Sequence, residues 1–145
     1  MEKVYAVNVK GVFLCLKYQL PELLKTGGGS IVNMASAAAQ VAFPMGADYI
    51  SSKHAVMGLT RAAALDYAEK GIRVNAILPA TVHTPMLDGL FASSPESKTF
   101  LESRIPVGRL GKSEEVAEAV VWMLSGRSSY VTATGLSVDG GYTAT

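Results

Sequence analysis

A buried-looking run, Ser30-Ile31-Val32-Asn33-Met34, is followed by a helical stretch over residues 46–70 and then by a second run, Arg73-Val74-Asn75-Ala76-Ile77-Leu78. That order constrains the fold more than any other feature of the chain. Both runs carry β-branched residues and are short enough for buried strands. Two strands joined by a helix pair in parallel through a right-handed crossover, so the chain reads as α/β. Gly71 closes the helix and Pro79 stops the second strand. Gly135-Leu136-Ser137-Val138 reads as a third strand, ending at Asp139-Gly140-Gly141.

The segment before the first strand reads as a helix. Residues 4–24 are apolar, but Asn8, Lys10, Lys17, Gln19 and Glu22 interrupt them, which a membrane span tolerates poorly. No small-x-small cleavage site follows, as a signal peptide requires. Lys3, Lys10 and Lys17 recur at seven-residue spacing and form one narrow polar stripe. The rest of the wheel is apolar, which predicts burial on more than one side, including a face for a partner subunit. Asn8 lies on the apolar side, as a satisfied core amide would. Cys15 reads as a small core residue. Thr26-Gly27-Gly28-Gly29 sits between a helix and a strand. A phosphate loop needs the opposite order, so these glycines read as a helix stop and turn.

Composition excludes several function classes. Apolar residues make up 49% of the 145 residues, enough for a sizeable core in one domain. The net charge of +1 offers no basic excess for nucleic acid or an anionic membrane surface. A single cysteine allows no disulfide framework and points to a reducing, cytoplasmic setting. His54 and His83 lack spacing that suits a metal.

Residues 81–106 show little periodicity outside residues 97–103 and read as a long loop. Its Met86, Leu87, Leu90, Phe91, Phe100 and Leu101 either cover something apolar, as a substrate lid, or pack on the domain. Ser113 is expected to cap a last helix, with Glu114 and Glu115 in its first turn. Val116, Ala119, Val120, Met123 and Leu124 would be its buried face.

Chemistry concentrates around the first strand and the long helix. Ser36 follows the first strand, where α/β sheets present ligands. Tyr49 and Lys53 are four residues apart and share a helix face. An ammonium about 4 Å from a phenol, at an effective dielectric of about 20, favours the phenolate by roughly 4 kcal/mol before desolvation is charged against it. Such a tyrosine exchanges protons near neutral pH, and a nearby serine can bond the same substrate oxygen. A Tyr-x-x-x-Lys spacing alone is common on solvated helices. No Gly-x-Ser-x-Gly elbow is present to make Ser36 a hydrolase nucleophile.

Taken together, these stretches resemble the C-terminal half of a short-chain dehydrogenase/reductase over nearly the whole chain. Asn8-Val9-Lys10-Gly11 is similar to the family's Asn-bearing helix. Ile31-Val32-Asn33-Met34-Ala35-Ser36 is similar to its serine strand, with Ser36 thirteen residues before Tyr49. Tyr49-Ile50-Ser51-Ser52-Lys53 matches Tyr-x-x-x-Lys. Residues 73–79 resemble the strand leading to the family's Pro-Gly turn, and Val138-Asp139-Gly140-Gly141 its closing Asp-Gly-Gly. The family's Thr-Gly-x-x-x-Gly-x-Gly loop and Asn-Asn-Ala-Gly strand have no counterpart here. The resemblance therefore implies the catalytic half of a doubly wound Rossmann-type parallel sheet. It would have three strands with flanking helices, without the N-terminal βαβ half, and with an unpaired edge on its first strand.

By that resemblance Tyr49 is the general acid/base, and Lys53 tunes it and holds the nicotinamide ribose. Ser36 polarises the carbonyl, and Asn8 holds a relay water near Lys53. Pro79, Ala80, Val82 and Thr84 line the nicotinamide of NAD or NADP, and residues 81–106 close over the substrate. Ala80 and Ala133 depart from the family, which usually has glycine at both places. The implied activity interconverts a secondary alcohol and a ketone, a small-molecule substrate, in a homo-oligomer (dimer or tetramer). One alternative is a truncated, non-catalytic remnant acting through subunit association. A 3-oxoacyl thioester reductase is an alternative substrate reading. Little or no cofactor binding is expected of this chain alone, because the pyrophosphate-binding loop is absent from it.

Overall fold

The structure is a computed structural model and describes residues Met1–Thr145. A continuous helical rod opens it: α1 (Glu2–Tyr5), a π-helical segment (Ala6–Lys10) and α2 (Gly11–Lys25). Strand β1 (Gly29–Met34) follows, then α3 (Ala47–Tyr67) and β2 (Ile72–Pro79). The chain continues through β3 (Val82–His83), α4 (Pro85–Ser93), α5 (Pro95–Ser103), β4 (Gly111–Lys112), α6 (Ser113–Leu124) and β5 (Gly135–Val138). No helix is long and apolar enough to cross a membrane.

The expected three-stranded parallel sheet is present, in the order β1-β2-β5. β1 pairs on one side only, with Ile31 opposite Val74. β2 is central, and from Ile72 to Leu78 only Arg73 escapes full burial. Alternate β2 residues face opposite layers. Ile72 and Val74 pack with Leu16 and Leu20 of α2 and Ala63 and Ala64 of α3. Ile77 points the other way, onto Val116 and Met123 of α6. The small side chains of α3 let it lie close to the sheet.

The glycines after α2 do form a turn. Gly28 has φ +126°, and a Cβ there would meet the Gly71 carbonyl at 2.5 Å. Gly71, at φ +75°, closes the 3-10 turn after α3. The two tight turns touch, so Gly28 has no room for a side chain, and Gly71 is held to glycine by its left-handed backbone.

Several expectations are corrected. Residues 81–106 are a helical hairpin with a short strand before it, not a loop. Pro85 and Pro95 each occupy the first turn of a helix, where proline's missing N–H costs nothing and its fixed φ helps. Neither helix buries a residue, and Met86 and Phe100 are 88% and 63% exposed, so packing on the domain does not explain their apolar side chains. A two-stranded pairing of β3 with β4 anchors the hairpin's ends. Lys112, not Ser113, is the N-cap of α6, because Glu115 reaches back to the Lys112 N–H at 2.8 Å. Leu124 lies outside the buried face of α6. Cys15 is exposed, because Leu16 and Leu20 take the sheet-facing side of α2. The rod is not among these corrections: within this single chain it buries one side and leaves the face expected for a partner subunit open, with Val7, Phe13 and Tyr18 at least half exposed.

Ala133 has φ +62°, a left-handed backbone that costs an L-residue about 1–2 kcal/mol. Ala133→Gly is expected to stabilise the chain by about 0.5–1 kcal/mol after glycine's own entropy cost. Urea unfolding would read this directly.

Arg109 forks onto Glu115 at 2.7 and 2.9 Å. That fork, with the Lys112 N–H, holds the Glu115 carboxyl down to about 2. A depressed carboxyl contributes stability above its unfolded value, about 4.3, and loses it as pH falls toward 2. Melting temperatures between about pH 4.5 and 2 should therefore fall more steeply for the native chain than for Glu115→Gln.

Candidate active site

Ser36 leaves β1 in extended conformation at the strand's carboxyl end. Its Oγ accepts the Ala38 N–H at 3.1 Å, capping the turn Ala37–Ala39. The Ser36 hydroxyl proton has no acceptor within the chain, so the group is oriented as a free donor.

Tyr49 stands in the first turn of α3 and is 38% exposed, its ring 6.5 Å from that of Phe43. Lys53, one turn on, is half-buried. Its Nζ donates to the Met34 carbonyl at 3.1 Å and lies 5.6 Å from the Tyr49 ring centroid. Burial pushes the Lys53 ammonium below its ordinary value. The strand carbonyl uses one of its three donors and leaves two.

These groups share one cleft of about 400 Å³ with Pro79, Ala80 and Val82. Met34, Ala35, Ser113 and Val116 complete its walls. The cleft opens at the carboxyl ends of β1 and β2, where α/β sheets hold ligands. Ala80 adopts no left-handed backbone, so its methyl sits in the cleft wall without strain. Six of the eight expected site residues thus come together: Ser36, Tyr49, Lys53, Pro79, Ala80 and Val82.

Two stand apart from the cleft wall. Thr84 begins α4, where its carbonyl accepts the Leu87 N–H. Asn8 sits in the π-helical segment, a distortion often found at functional sites. Its Nδ2 donates to Ser52 Oγ at 3.0 Å, and the fully buried Ser52 hydroxyl donates to the Tyr49 carbonyl at 2.7 Å. Asn8 is thus tied to α3 one residue before Lys53.

Sequence reasoning missed a second, smaller cleft of about 230 Å³ on the other side of Tyr49. Ser36, Tyr49 and Ala80 border both clefts, and Phe43 and Tyr142 belong to the smaller one alone. An aromatic just upstream of the Tyr-bearing helix, and another just after the closing glycines, were the available signals.

A family model described as enoyl-(acyl carrier protein) reductase matches residues 1–143. The chain is 49% identical over 139 residues to a 2,5-dichloro-2,5-cyclohexadiene-1,4-diol dehydrogenase from Sphingobium indicum, covering 95% of this chain and 56% of that protein.

The chain belongs to the short-chain dehydrogenase/reductase family.

Another relative in the family, a cyclohexanol dehydrogenase from an Acinetobacter species, is 42% identical and matches 98% of this chain and 54% of its own length. The solved structure of ElxO with NADP bound superposes with a TM-score of 0.91 at 36% identity, covering 95% of this chain and 56% of that one. A gluconate 5-dehydrogenase from Burkholderia cenocepacia, in complex with NADP and tartrate, gives 0.91 at 31% identity, with 97% and 55% covered. The chain spans about half the length of the curated relatives it matches.

Proposed function

We propose that this chain carries the proton-transfer part of an NAD(P)-dependent oxidoreductase that interconverts a secondary alcohol and a ketone. The observation that carries the reading is the convergence of Ser36, Tyr49 and Lys53 on one cleft. Relatives named as cyclohexanol, diol and 2-(R)-hydroxypropyl-CoM dehydrogenases support it.

The cleft's own residues fit the nicotinamide and ribose end of a dinucleotide. Pro79, Val82 and Met34 supply apolar walls for a flat ring. The two free donors of Lys53 suit ribose hydroxyls. Ala80 completes the wall, and Thr84, outside the wall at the start of the lid, takes the same role by the family resemblance alone. The chain has no glycine-rich turn between a strand and a helix to cradle a pyrophosphate.

A bound nicotinamide supplies or accepts the hydride. Tyr49 Oη gives a proton to the substrate oxygen in reduction and takes it back in oxidation. The Lys53 ammonium stabilises the phenolate and restrains the ribose. Ser36, held by the Ala38 N–H, donates to the same substrate oxygen and draws charge onto it. Asn8, bonded to Ser52, holds the helix segment from which a relay water reaches Lys53. Residues 81–106 form the lid, and their exposed Met86, Leu90 and Phe100 close over an apolar substrate. The exposed Val7, Phe13 and Tyr18 support association into a dimer or tetramer.

Steady-state oxidation of a secondary alcohol with NAD+ and NADP+ tests the role assignment. Lys53→Met should raise the cofactor KM and lower kcat together. Ser36→Ala should lower kcat by roughly 10²-fold with little change in cofactor KM. Unchanged kinetics in both variants would contradict the proposal.

A further inference from the structure

We infer that the substrate side of this site takes a small, uncharged ketone or secondary alcohol and rejects keto and hydroxy acids, with Phe43 as the wall that sets the fit. The inference rests on the reading of Ser36 and Tyr49 as the groups that meet the substrate oxygen.

Those two residues stand between two clefts of different character. The larger contains Lys53, the only charged residue in its lining, and suits the ribose. The smaller adds Ala37, Ala38, Phe43, Thr81 and Tyr142, and none of its eight residues is charged. A carboxylate entering it would give up water without meeting a cation, which is a heavy cost. Thr81 and Tyr142 offer hydroxyls and nothing stronger. A further cleft that shares Ala80 and Thr81 has Arg109 forked onto Glu115 and Asp139 accepting from Thr143 at 2.6 Å, and its remaining cation, Lys112, is exposed to solvent and does not line the smaller cleft.

Size points the same way. The volume of about 230 Å³ lies below the roughly 300–1,000 Å³ of pockets that hold drug-sized ligands. Ala37 and Ala38 are buried at 2% and 3% exposure, so they form a fixed floor of methyl groups. Phe43 forms the aromatic wall. Its ring lies where a Cβ on Gly46 would be, so the absence of a side chain at Gly46 is what seats it beside Tyr49.

The test compares two ketones of the same heavy-atom skeleton, 5-methyl-2-hexanone and 4-oxopentanoate, in which a carboxylate replaces an isopropyl group. Saturation-transfer NMR on the purified protein reads their binding without requiring turnover. The neutral ketone should bind at least about 30-fold more tightly than the keto acid. Phe43→Ala should weaken the neutral ketone about tenfold. Equal or tighter binding of 4-oxopentanoate, no binding of the neutral ketone, or no effect of Phe43→Ala would each overturn the inference. Turnover of either ketone by the native protein and by Tyr49→Phe is measured alongside. Turnover that survives loss of the phenol counts against the role of Tyr49, while the binding comparison still decides the substrate class.

Discussion

Tyr49→Phe is expected to lower kcat for alcohol oxidation by roughly 10²–10⁴-fold while leaving the fold intact. The substitution removes one oxygen and keeps the ring. That ring keeps its packing 6.5 Å from Phe43 and its place 5.6 Å from the Lys53 ammonium. With 38% of Tyr49 exposed and no hydrogen bond from its hydroxyl to the rest of the chain, stability should shift by no more than about 0.5 kcal/mol. Loss of rate at constant melting temperature assigns the effect to the phenol's proton. Ser36 remains in the variant, and in the role proposed for it would still polarise the carbonyl, which is why the rate should fall short of zero. Activity within about threefold of the native protein would mean that another group moves the proton.

Asn75→Ala is expected to cost about 2–4 kcal/mol, the largest stability effect foreseen for a single side chain here. Asn75 is fully buried in the central strand. Its Nδ2 donates to the Val131 carbonyl at 2.8 Å, and its Oδ1 accepts the Thr134 N–H at 3.2 Å. One amide therefore pins the turn that delivers β5 to the sheet. Truncation leaves the Thr134 N–H without a partner and the Val131 carbonyl with only the Arg73 guanidinium at 3.2 Å, in a protein with no unsatisfied buried side-chain polar atom. The melting temperature should fall by about 10 °C. A fall below about 3 °C would mean that water or a shift of the turn replaces both bonds. Arg73, two residues earlier in the same strand, acts alongside it: its guanidinium donates to the Met123, Ser125 and Val131 carbonyls and closes the end of α6.

The parts of the fold that could be read in the sequence were those governed by local rules. Residues 30–34 and 73–78 carried strand chemistry, Gly71 a left-handed stop, and the helix between them its own length. The convergence of Ser36, Tyr49 and Lys53 on one cleft was readable because Tyr49 and Lys53 lie on one helix face and Ser36 follows a strand, so secondary structure alone brings them near one another. Asn8 was half-readable. Its direction followed from the helical wheel, but its partner Ser52 comes from another helix. The hairpin α4–α5 was missed because residues 81–106 show little apolar periodicity, whereas the structure has Pro85 and Pro95 each starting a helix. Cys15 and Leu124 were misjudged because apolar character does not say which side of a helix the sheet will cover. Phe43 and Tyr142 could not be linked to Tyr49 at all. They are brought together only by the turn before α3 and by the segment after β5.

The central claim is that Tyr49 and Ser36 hold an alcohol oxygen while its carbinol hydrogen leaves for a nicotinamide. The most direct measurement gives the purified protein NAD+ or NADP+ and a secondary alcohol carrying deuterium at the carbinol carbon. Mass spectrometry then reads the reduced cofactor. The account predicts one deuterium on the nicotinamide and the matching ketone in equal amount. Ketone formed without deuterium on the cofactor, or cofactor reduced without taking up the label, would contradict it.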